Sequence, residues 1–414
     1  METKTVLQTI LLLCIYHGIR ENMSFVFLYT APTRRATTAG GIPDISTPAN
    51  DRIKPPATQP SQPQQSQNIP DSSKRNAPSR RQQEANAAHA AYDRPPLEAI
   101  VTTNNTIIGD PEWLVNFGIL GFGKCGTSTM MVWLREHPEV QAFGKELSDL
   151  MRWKPGRLVR RFYEELEAGP FIRGYKAPQD VSQPHILDFY RQYWPQAKII
   201  IGIRHPISWF ESLYNFRVQN LPAHQTLPHP NKLIGGCQKG KYGTCTDKGN
   251  FGFQLLKMGF QNYPHPRLAN DVEKRIVERY PRSKMNITTF EPMTNSVFLF
   301  ELEQLSDANL TRSERFRQDV TNFMGLQEML PSLPHKIPGQ KHVDEEQKRR
   351  DGLKINICDD EYERVRADLM QMSVTTSLWL RQVFLHHPNV LVSSPDYFNE
   401  IMQRWGIDPC IAKQ

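Results

Sequence analysis

The chain has 414 residues, of which 39% are hydrophobic and 22% charged, enough for one large domain or two ordinary ones. Its 50 basic and 43 acidic residues give a formal charge of +7. This balance suits an anionic ligand but does not single out nucleic acid, and the composition excludes collagen, a coiled coil and a multi-span membrane protein.

The first thirty residues are typical of a targeting segment. Lys4 precedes an apolar run from Val6 to Ile19, which is close to the length of a signal-peptide core and short for a bilayer span of about 20 residues. No small-residue cleavage site follows, and a second apolar patch extends from Met23 to Tyr29. We therefore predict a signal anchor or a signal peptide over residues 1–30, with the uncleaved anchor favoured. A cytosolic chain with an apolar start is the alternative.

Residues 31–97 are predicted to be a disordered stem rich in proline and glutamine. Eleven of the 32 prolines fall between Ala31 and Pro96, where Tyr92 is the only aromatic residue. Such a segment has too little apolar surface to offset the entropy of the chain. The folded domain is therefore expected over residues 98–414, with the stem as an extended spacer.

From Trp113 onward, apolar strands alternate with amphipathic helices, which predicts an α/β fold with a parallel sheet. The predicted strands are Leu114–Leu120, Val140–Phe143, Phe171–Lys176, Lys198–Ile203 and Asn286–Phe290. The predicted helices are Gly126–Glu136, stopped by Pro138, a helix from Pro206 through Tyr214, and the segments Arg315–Met324 and Glu361–Leu385.

Four of the six cysteines are candidates for disulfide bonds. Cys14 lies in the apolar run and Cys125 in a glycine-rich loop, and the remaining four allow three pairings. The short spacing favours a bridge Cys237–Cys245, with Cys358–Cys410 joining the C-terminal region; four reduced thiols are the alternative. No cysteine spacing typical of zinc appears. Sequons that would carry glycans in a lumenal domain occur at Asn22, Asn104, Asn286 and Asn309.

The loop from Gly121 to Thr129, GFGKCGTST, lies between the first predicted strand and its helix. Glycines let backbone amides turn toward a ligand, and a helix N-terminus favours an oxyanion. Lys124 adds a full charge and three hydroxyls add donors. The lysine precedes Gly126 by two residues, so the nucleotide-hydrolase pattern GxxxxGK[ST] is not met. A plain turn and helix cap is the alternative, but it does not account for the lysine and the hydroxyls together.

A second anion site is predicted where the strand Lys198–Ile203 ends in Arg204. Pro206 suits the first position of the following helix. Arg204 is then expected at the carboxyl edge of the sheet, where α/β folds bind ligands. Ser208 and Ser212 are four residues apart and share a helix face. A guanidinium beside a hydroxyl is a suitable phosphate site.

These two elements resemble the motifs of sulfotransferases that use 3′-phosphoadenosine 5′-phosphosulfate (PAPS). The loop Gly121–Thr129 is similar to their 5′-phosphosulfate loop, and Arg204–Tyr214 resembles their 3′-phosphate motif, over a region from about Trp113 to Gly325. The resemblance implies a P-loop-like three-layer sandwich, a central parallel sheet flanked by helices. It implies that the phosphosulfate is held by Lys124, Cys125, Gly126, Thr127, Ser128 and Thr129, and the 3′-phosphate by Arg204 and Ser212.

Two further motifs imply catalytic residues. Gly144-Lys145-Glu146 resembles the Lys-Glu motif of polysaccharide sulfotransferases, in which the glutamate is the general base, so Glu146 is the candidate base. Lys176 resembles the strand-end lysine of that group, near the sulfate and the acceptor. Lys124 would stabilise the leaving phosphate oxygen, and no metal is required if lysines supply the charge. A solvated ion pair and a plain surface lysine are the alternatives for Glu146 and Lys176.

Several other residues are weaker candidates. Three histidines are candidate bases by residue type: His205, His137 and His185. His205 is expected instead to flank Arg204, and His137 to lie at a helix end. Glu291 resembles a structural strand-end glutamate. The basic run Lys336–Arg350 would close over the nucleotide or bind an acidic acceptor, but its interleaved acids favour a solvated segment. Trp379 and Trp405 are expected in the core rather than as sugar platforms.

The sequence therefore predicts a Golgi sulfotransferase, a single-pass type II membrane protein with a lumenal catalytic domain, or a secreted one if the N-terminus is cleaved. It would transfer sulfate from PAPS to a hydroxyl of a glycan acceptor, without metal or nucleic acid. A P-loop nucleotide kinase or hydrolase is one alternative and would need an acidic magnesium ligand at a strand end. A non-catalytic glycan- or nucleotide-binding protein and a cytosolic small-molecule sulfotransferase are the others.

Overall fold

The computed structural model describes residues 94–222, 225–237, 243–260, 274, 276, 291–333 and 350–411. A six-stranded, all-parallel sheet in the order β2-β3-β1-β4-β5-β6 lies at their centre. Its strands are β1 (Phe117–Gly121), β2 (Val140–Glu146), β3 (Ile172–Lys176), β4 (Lys198–Ile203), β5 (Val297–Glu301) and β6 (Val390–Leu391). The helices are α1 (Leu97–Ile100), α2 (Thr127–Arg135), α3 (Pro155–Glu165), α4 (Pro184–Tyr193), α5 (Pro206–Asn220), α6 (Phe251–Leu255), α7 (Leu310–Met324), α8 (Glu363–Gln382) and α9 (Pro395–Arg404).

The two faces of the sheet bury two separate hydrophobic clusters. Along β4, Ile199, Ile201 and Ile203 belong to one cluster and Ile200 to the other, because successive side chains of a strand point to opposite faces. Helices α2 and α7 cover the Ile200 face, and α3, α4, α5, α8 and α9 contribute to the opposite cluster. The predicted three-layer α/β sandwich is confirmed.

The boundaries of the early strands differ slightly from the prediction. β1 begins at Phe117 rather than Leu114, because Glu112–Leu114 form a 3-10 turn before it. β2 continues three residues beyond the predicted end and pairs again with β3 after an irregularity, with Glu146 opposite Lys176. The candidate base therefore lies at the end of a strand rather than in a loop.

The C-terminal half contains larger differences. α7 begins five residues earlier than predicted, because the side chain of Asn309 caps its first turn by accepting from Arg312 N at 3.0 Å. α8 ends at Gln382 and is followed by a 3-10 turn over Phe384–His386. β5 and β6 were not predicted, and the predicted strand 286–290 lies outside the described residues.

Both predicted disulfides are confirmed. Cys237 is bonded to Cys245, and Cys358 to Cys410. The second bridge ties the segment before α8 to the segment after α9. Trp379 and Trp405 are buried, as expected of core residues.

At the amino-terminal end of the described residues, the guanidinium of Arg94 lies 3.9 Å from the centre of the Tyr163 ring. The predicted anchor and nearly all of the stem lie outside the described residues. Within the part of the chain that is described, no helix is both long and apolar enough to cross a bilayer.

The two disulfides are expected to differ in their contribution to stability. Replacing Cys358 and Cys410 with serine should lower the free energy of unfolding by about 4 kcal/mol, and replacing Cys237 and Cys245 by about 2.5 kcal/mol. The reason is the length of chain that each bridge restricts in the unfolded state, 52 against 8 residues of separation. Guanidinium unfolding without reductant measures both losses, and equal losses would contradict the prediction.

Candidate functional site

The centre of the sheet creates a crevice at its carboxyl edge. From β1 the chain crosses to β2 and β3 on one side, and from β3 it crosses back to β4 on the other. β1 and β4 are therefore neighbours whose following loops diverge, the arrangement at which α/β folds bind ligands. The glycine-rich loop follows β1 and Arg204 follows β4, so both predicted anion sites flank this crevice.

The loop after β1 has a strained backbone. Lys124 has φ +71°, an uncommon conformation for a residue with a side chain, and Gly126 has φ +79°. A Cβ on Gly126 would lie 2.5 Å from a methyl carbon of Leu305, so glycine is required there by space as well as by conformation. No side chain caps α2 at Gly126. The loop thus leads directly into the N-terminus of α2, where the unpaired N–H groups of the first turn suit an oxyanion.

Neighbouring elements hold this loop in place. The indole N–H of Trp209 on α5 donates to the Gly123 carbonyl at 2.9 Å, and Phe122 N donates to Gly202 O at 2.8 Å. A Cβ on Gly202 would lie 2.3 Å from the carbonyl oxygen of Cys125. The absence of a side chain at Gly202 therefore allows the loop to lie directly on β4.

The hydroxyls and the thiol of the loop occupy different environments. Ser128 and Thr129 are exposed, whereas Thr127 and Cys125 are buried. Cys125 N donates to Phe122 O at 3.1 Å, and burial raises the pKa of its thiol well above the ordinary value. The side chain of Cys125 packs in the core beneath the loop.

One cleft brings Lys124 of the predicted loop site together with the second predicted site. Lys124, Arg204 from the end of β4 and Ser212 from α5 surround a volume of about 470 Å³. The ammonium of Lys124 lies 4.2 Å from the centre of the Phe216 ring, which is 39% exposed. Lys124 and Arg204 are thus close enough to contact one ligand, with an aromatic ring beside Lys124. The other predicted loop residues, Cys125 to Thr129, are not in the lining of this cleft.

The sequence prediction missed several residues of this cleft. Asn215, Phe216 and Gln219 of α5 also line it, as does one acidic residue, Glu211. Ser208, Ser212, Asn215 and Gln219 repeat at intervals of three or four, so the helical spacing extended the predicted serine pair by two polar residues.

Lys354 lines the cleft as well, but no local pattern indicated it. The side chain of Asn215 holds this segment by two hydrogen bonds to the backbone of Ile355. Its Nδ2 donates to Ile355 O at 2.9 Å, and its Oδ1 accepts from Ile355 N at 2.8 Å. Arg350, the last residue of the predicted basic run, donates to the carbonyl of Gln219. The rest of that run lies outside the described residues.

Lys176 joins the loop to the candidate base. At the end of β3, its ammonium lies 2.7 Å from Ser128 Oγ and 3.1 Å from Glu146 Oε1. The side chain of Lys176 is only 10% exposed, whereas that of Glu146 is 58% exposed. A largely buried cation therefore bridges the helix N-terminus and a carboxylate that remains open to solvent.

A buried carboxyl group, that of Glu301, interacts electrostatically with Arg204. Glu301, at the end of β5, pairs in register with Ile203 and accepts from Glu303 N at 2.6 Å. Burial raises the pKa of Glu301 to about 8, and the positive charge of Arg204 opposes the rise. No local pattern indicated a role for Glu301, because the strand that carries it was not predicted. Glu291, the predicted strand-end glutamate, lies outside any strand, and its backbone carbonyl accepts from Arg191 at 2.6 Å.

None of the three candidate histidines is placed as a base at the cleft. Burial lowers the pKa of His205 to about 4, and its Nδ1 accepts from Ile207 N to cap α5. His137 is buried near Glu328 O, and His185 stacks on Trp153. The described residues contain no cluster of three histidine, cysteine or acidic side chains suited to a metal ion.

Replacing Glu301 with glutamine is expected to flatten the pH dependence of stability. Because burial raises the folded-state pKa from 4.5 to about 8, the folded chain binds a proton that the unfolded chain has released in this window. The stability linked to this group is therefore present in acid and is lost as pH rises toward 8. Between pH 5.5 and 7.5 the free energy of unfolding should fall less steeply with pH in the variant than in the wild type. The two slopes should differ by up to about 1.4 kcal/mol per pH unit. Denaturant titrations across this range provide the measurement, and parallel curves for the two proteins would contradict the prediction.

No family model and no curated protein matches the sequence. Among solved structures, the chain is similar to a sulfotransferase from Alicyclobacillus acidocaldarius, with 15% sequence identity and a TM-score of 0.35. The match covers 64% of this chain and 96% of that chain.

Proposed function

We propose that this protein is a sulfotransferase that transfers a sulfuryl group from PAPS to a hydroxyl of a carbohydrate. The observation that carries the proposal is the single cleft shared by Lys124, Arg204 and Ser212. A donor with a phosphosulfate at one end and a 3′-phosphate at the other needs two cationic sites joined by a surface for the nucleoside. The Phe216 ring, in the lining of the same cleft beside Lys124, supplies an aromatic face for that purpose.

The residues around the loop fit the charge that develops during sulfuryl transfer. The bond between sulfur and the bridging oxygen breaks, and the electron pair leaves on the 5′-phosphate of adenosine 3′,5′-bisphosphate. Lys124 and the first-turn amides of α2 are positioned to stabilise this oxygen. Lys176, held 2.7 Å from Ser128 Oγ, adds a second cation on the acceptor side of the loop.

In the proposed reaction Glu146 accepts the proton of the acceptor hydroxyl. Its carboxylate is exposed and lies 3.1 Å from the ammonium of Lys176. The hydroxyl oxygen would attack sulfur as its proton passes to Glu146, which balances the reaction without an additional reagent. Lys176 keeps the base adjacent to the sulfuryl group by contacting both the loop and the carboxylate.

The rival functions are less consistent with the geometry. A P-loop kinase or hydrolase needs an acidic magnesium ligand at a strand end beside the loop, but the two neighbours of β1 end in Lys176 and before Arg204. The strand-end carboxylate of Glu146, on β2, is paired with Lys176. The strand-end carboxyl of Glu301 is buried, accepts backbone N–H groups and has a pKa raised to about 8. A binding protein without catalysis would have no need of the Ser128–Lys176–Glu146 chain.

A lumenal location belongs to the same proposal. Two disulfides are typical of oxidising compartments, and the predicted N-terminal anchor would hold the enzyme on a Golgi membrane. A glycan is the acceptor class that this location favours, as in the carbohydrate sulfotransferases that the sequence resembles.

Both sides of the cleft are expected to contribute to binding one nucleotide. Arg204→Ala and Lys124→Ala should each weaken binding of adenosine 3′,5′-bisphosphate by roughly tenfold or more, because each removes a charged phosphate donor. Isothermal titration calorimetry measures the affinity, and Lys232→Ala, an exposed lysine outside the cleft lining, is the matched control. Wild-type affinity in both cleft variants would reject the shared nucleotide site.

Glu146→Gln is expected to separate catalysis from donor binding. The amide retains the shape of the side chain but cannot take the acceptor proton, so turnover should fall by roughly 10²- to 10⁴-fold. The affinity for adenosine 3′,5′-bisphosphate should stay within about twofold of wild type, since Glu146 is not in the lining of the cleft. Transfer of radiolabelled sulfate from PAPS to a glycan panel provides the assay. Wild-type turnover in Glu146→Gln would exclude it as the base.

A further inference from the structure

Trp153 is an exposed aromatic side chain held in a strained conformation. It is 66% exposed and has φ +58° and ψ +39°, the left-handed region that bulky residues rarely adopt. Holding a bulky residue in that region is destabilising. An apolar side chain kept at the surface in a strained conformation calls for a reason other than core packing.

Neighbouring rings make Trp153 rigid. The His185 ring stacks on it at 4.0 Å with an interplanar angle of 10°, and the Phe189 ring meets it edge-on at 5.9 Å. His185 is itself held at Leu150 O, 3.3 Å away. One face of the indole is thus covered, and the exposure of the residue leaves the other as a flat, preorganised platform. The C–H face of a sugar ring is a natural partner for such a surface.

Cationic side chains surround this platform. Trp153 lines a cavity of about 530 Å³ together with Lys154, Arg157, Arg160 and a short stretch around Asn104, and no acidic residue is in the lining. Lys154 is exposed, and the side chain of Arg157 is 51% exposed while its guanidinium contacts Asp149 at 3.3 Å. The cavity therefore offers an aromatic surface and positive charge together.

The position of this cavity places it on the acceptor side of the molecule. Trp153 follows β2 by seven residues, and β2 ends in Glu146. His185, which stacks on Trp153, follows β3 by nine residues, and β3 ends in Lys176, whose ammonium lies 3.1 Å from Glu146 Oε1. The nucleotide cleft lies between β1 and β4, so a glycan reaching Glu146 from the β2 edge would pass this platform.

We infer that the Trp153 cavity is an acceptor subsite that binds an anionic sugar residue of the glycan. Trp153 stacks on the sugar ring, and Lys154 and Arg157 contact its carboxylate or sulfate. The inference rests on the proposed sulfotransferase function and narrows its acceptor to an acidic glycan.

Direct binding tests this subsite independently of catalysis. The probes are a galacturonic acid hexamer and the same hexamer with its carboxyl groups reduced, titrated into the full chain carrying Asn104→Gln so that no attached glycan occupies the cavity. The acidic hexamer should bind at least about tenfold more tightly than the reduced one at low salt, and this difference should shrink at high salt. Equal affinity for the two hexamers would overturn the requirement for an anionic sugar.

Two variants assign that binding to the cavity. Trp153→Gly should weaken binding of the acidic hexamer by roughly tenfold, while thermal stability is maintained because glycine adopts the left-handed conformation without strain. Lys154→Ala should weaken it about two- to fivefold, and Arg364→Ala, which removes an exposed cation of α8, should leave it unchanged. Unchanged affinity in Trp153→Gly, or equal losses in Lys154→Ala and Arg364→Ala, would reject the subsite.

The same proteins distinguish failure of the subsite from failure of the proposed function. Adenosine 3′,5′-bisphosphate affinity should be unchanged in Trp153→Gly, since Trp153 is outside the nucleotide cleft. If the bisphosphate binds but the acidic hexamer does not, the subsite is wrong and the sulfotransferase proposal stands. If the hexamer binds and the bisphosphate does not, the proposed reaction is wrong.

Discussion

The parallel pairing of β1 with β4 is the constraint on which the candidate site depends. These strands come from segments about 80 residues apart, and their register joins Phe117 to Lys198 and Gly121 to Ile201. Parallel strands end at the same edge, so the loop after β1 and the arginine after β4 emerge side by side. The contacts across the cleft, including the bond from Trp209 to Gly123, follow from this pairing.

The cleft contains features that a protein selected only for stability would avoid. Lys124 is held at a positive φ, Glu301 is a carboxyl buried under the loop, and Arg204 is kept beside it at the open edge. The strained backbone of Lys124 and the burial of the Glu301 carboxyl are each destabilising. The sheet and its two clusters provide the packing that tolerates them. The concentration of unfavourable features in one place is itself a sign of function.

The sheet divides the site into two halves. Residues of the Lys124 cleft lie at β1, β4 and α5, whereas Glu146 and the Trp153 cavity lie at or beyond the β2 edge. Lys176, on β3 between them, contacts the loop through Ser128 and Glu146 through an ion pair. In the proposed reaction this division would let donor and acceptor approach the transferred group from opposite sides, because the two ligands would not compete for the same surface.

The amino-acid sequence determined the elements whose signals are local. Three such elements are recognisable: the glycine-rich loop, the strand Lys198–Ile203 and the proline at the start of α5. Turns and hydrophobic strands depend on residues that are adjacent in the sequence. The α/β class followed from the alternation of such elements, and the close spacing of Cys237 and Cys245 indicated their bridge.

Only the tertiary structure decided which distant residues meet. Nothing near Lys354 in the sequence indicated that it lines the cleft beside Lys124, and the positions of Glu301 and Trp153 emerged in the same way. Their roles depend on strand order and on the packing of helices against the sheet. A local pattern records what a segment can form, but the partner that a side chain contacts is set by the pairing of segments far apart in the chain.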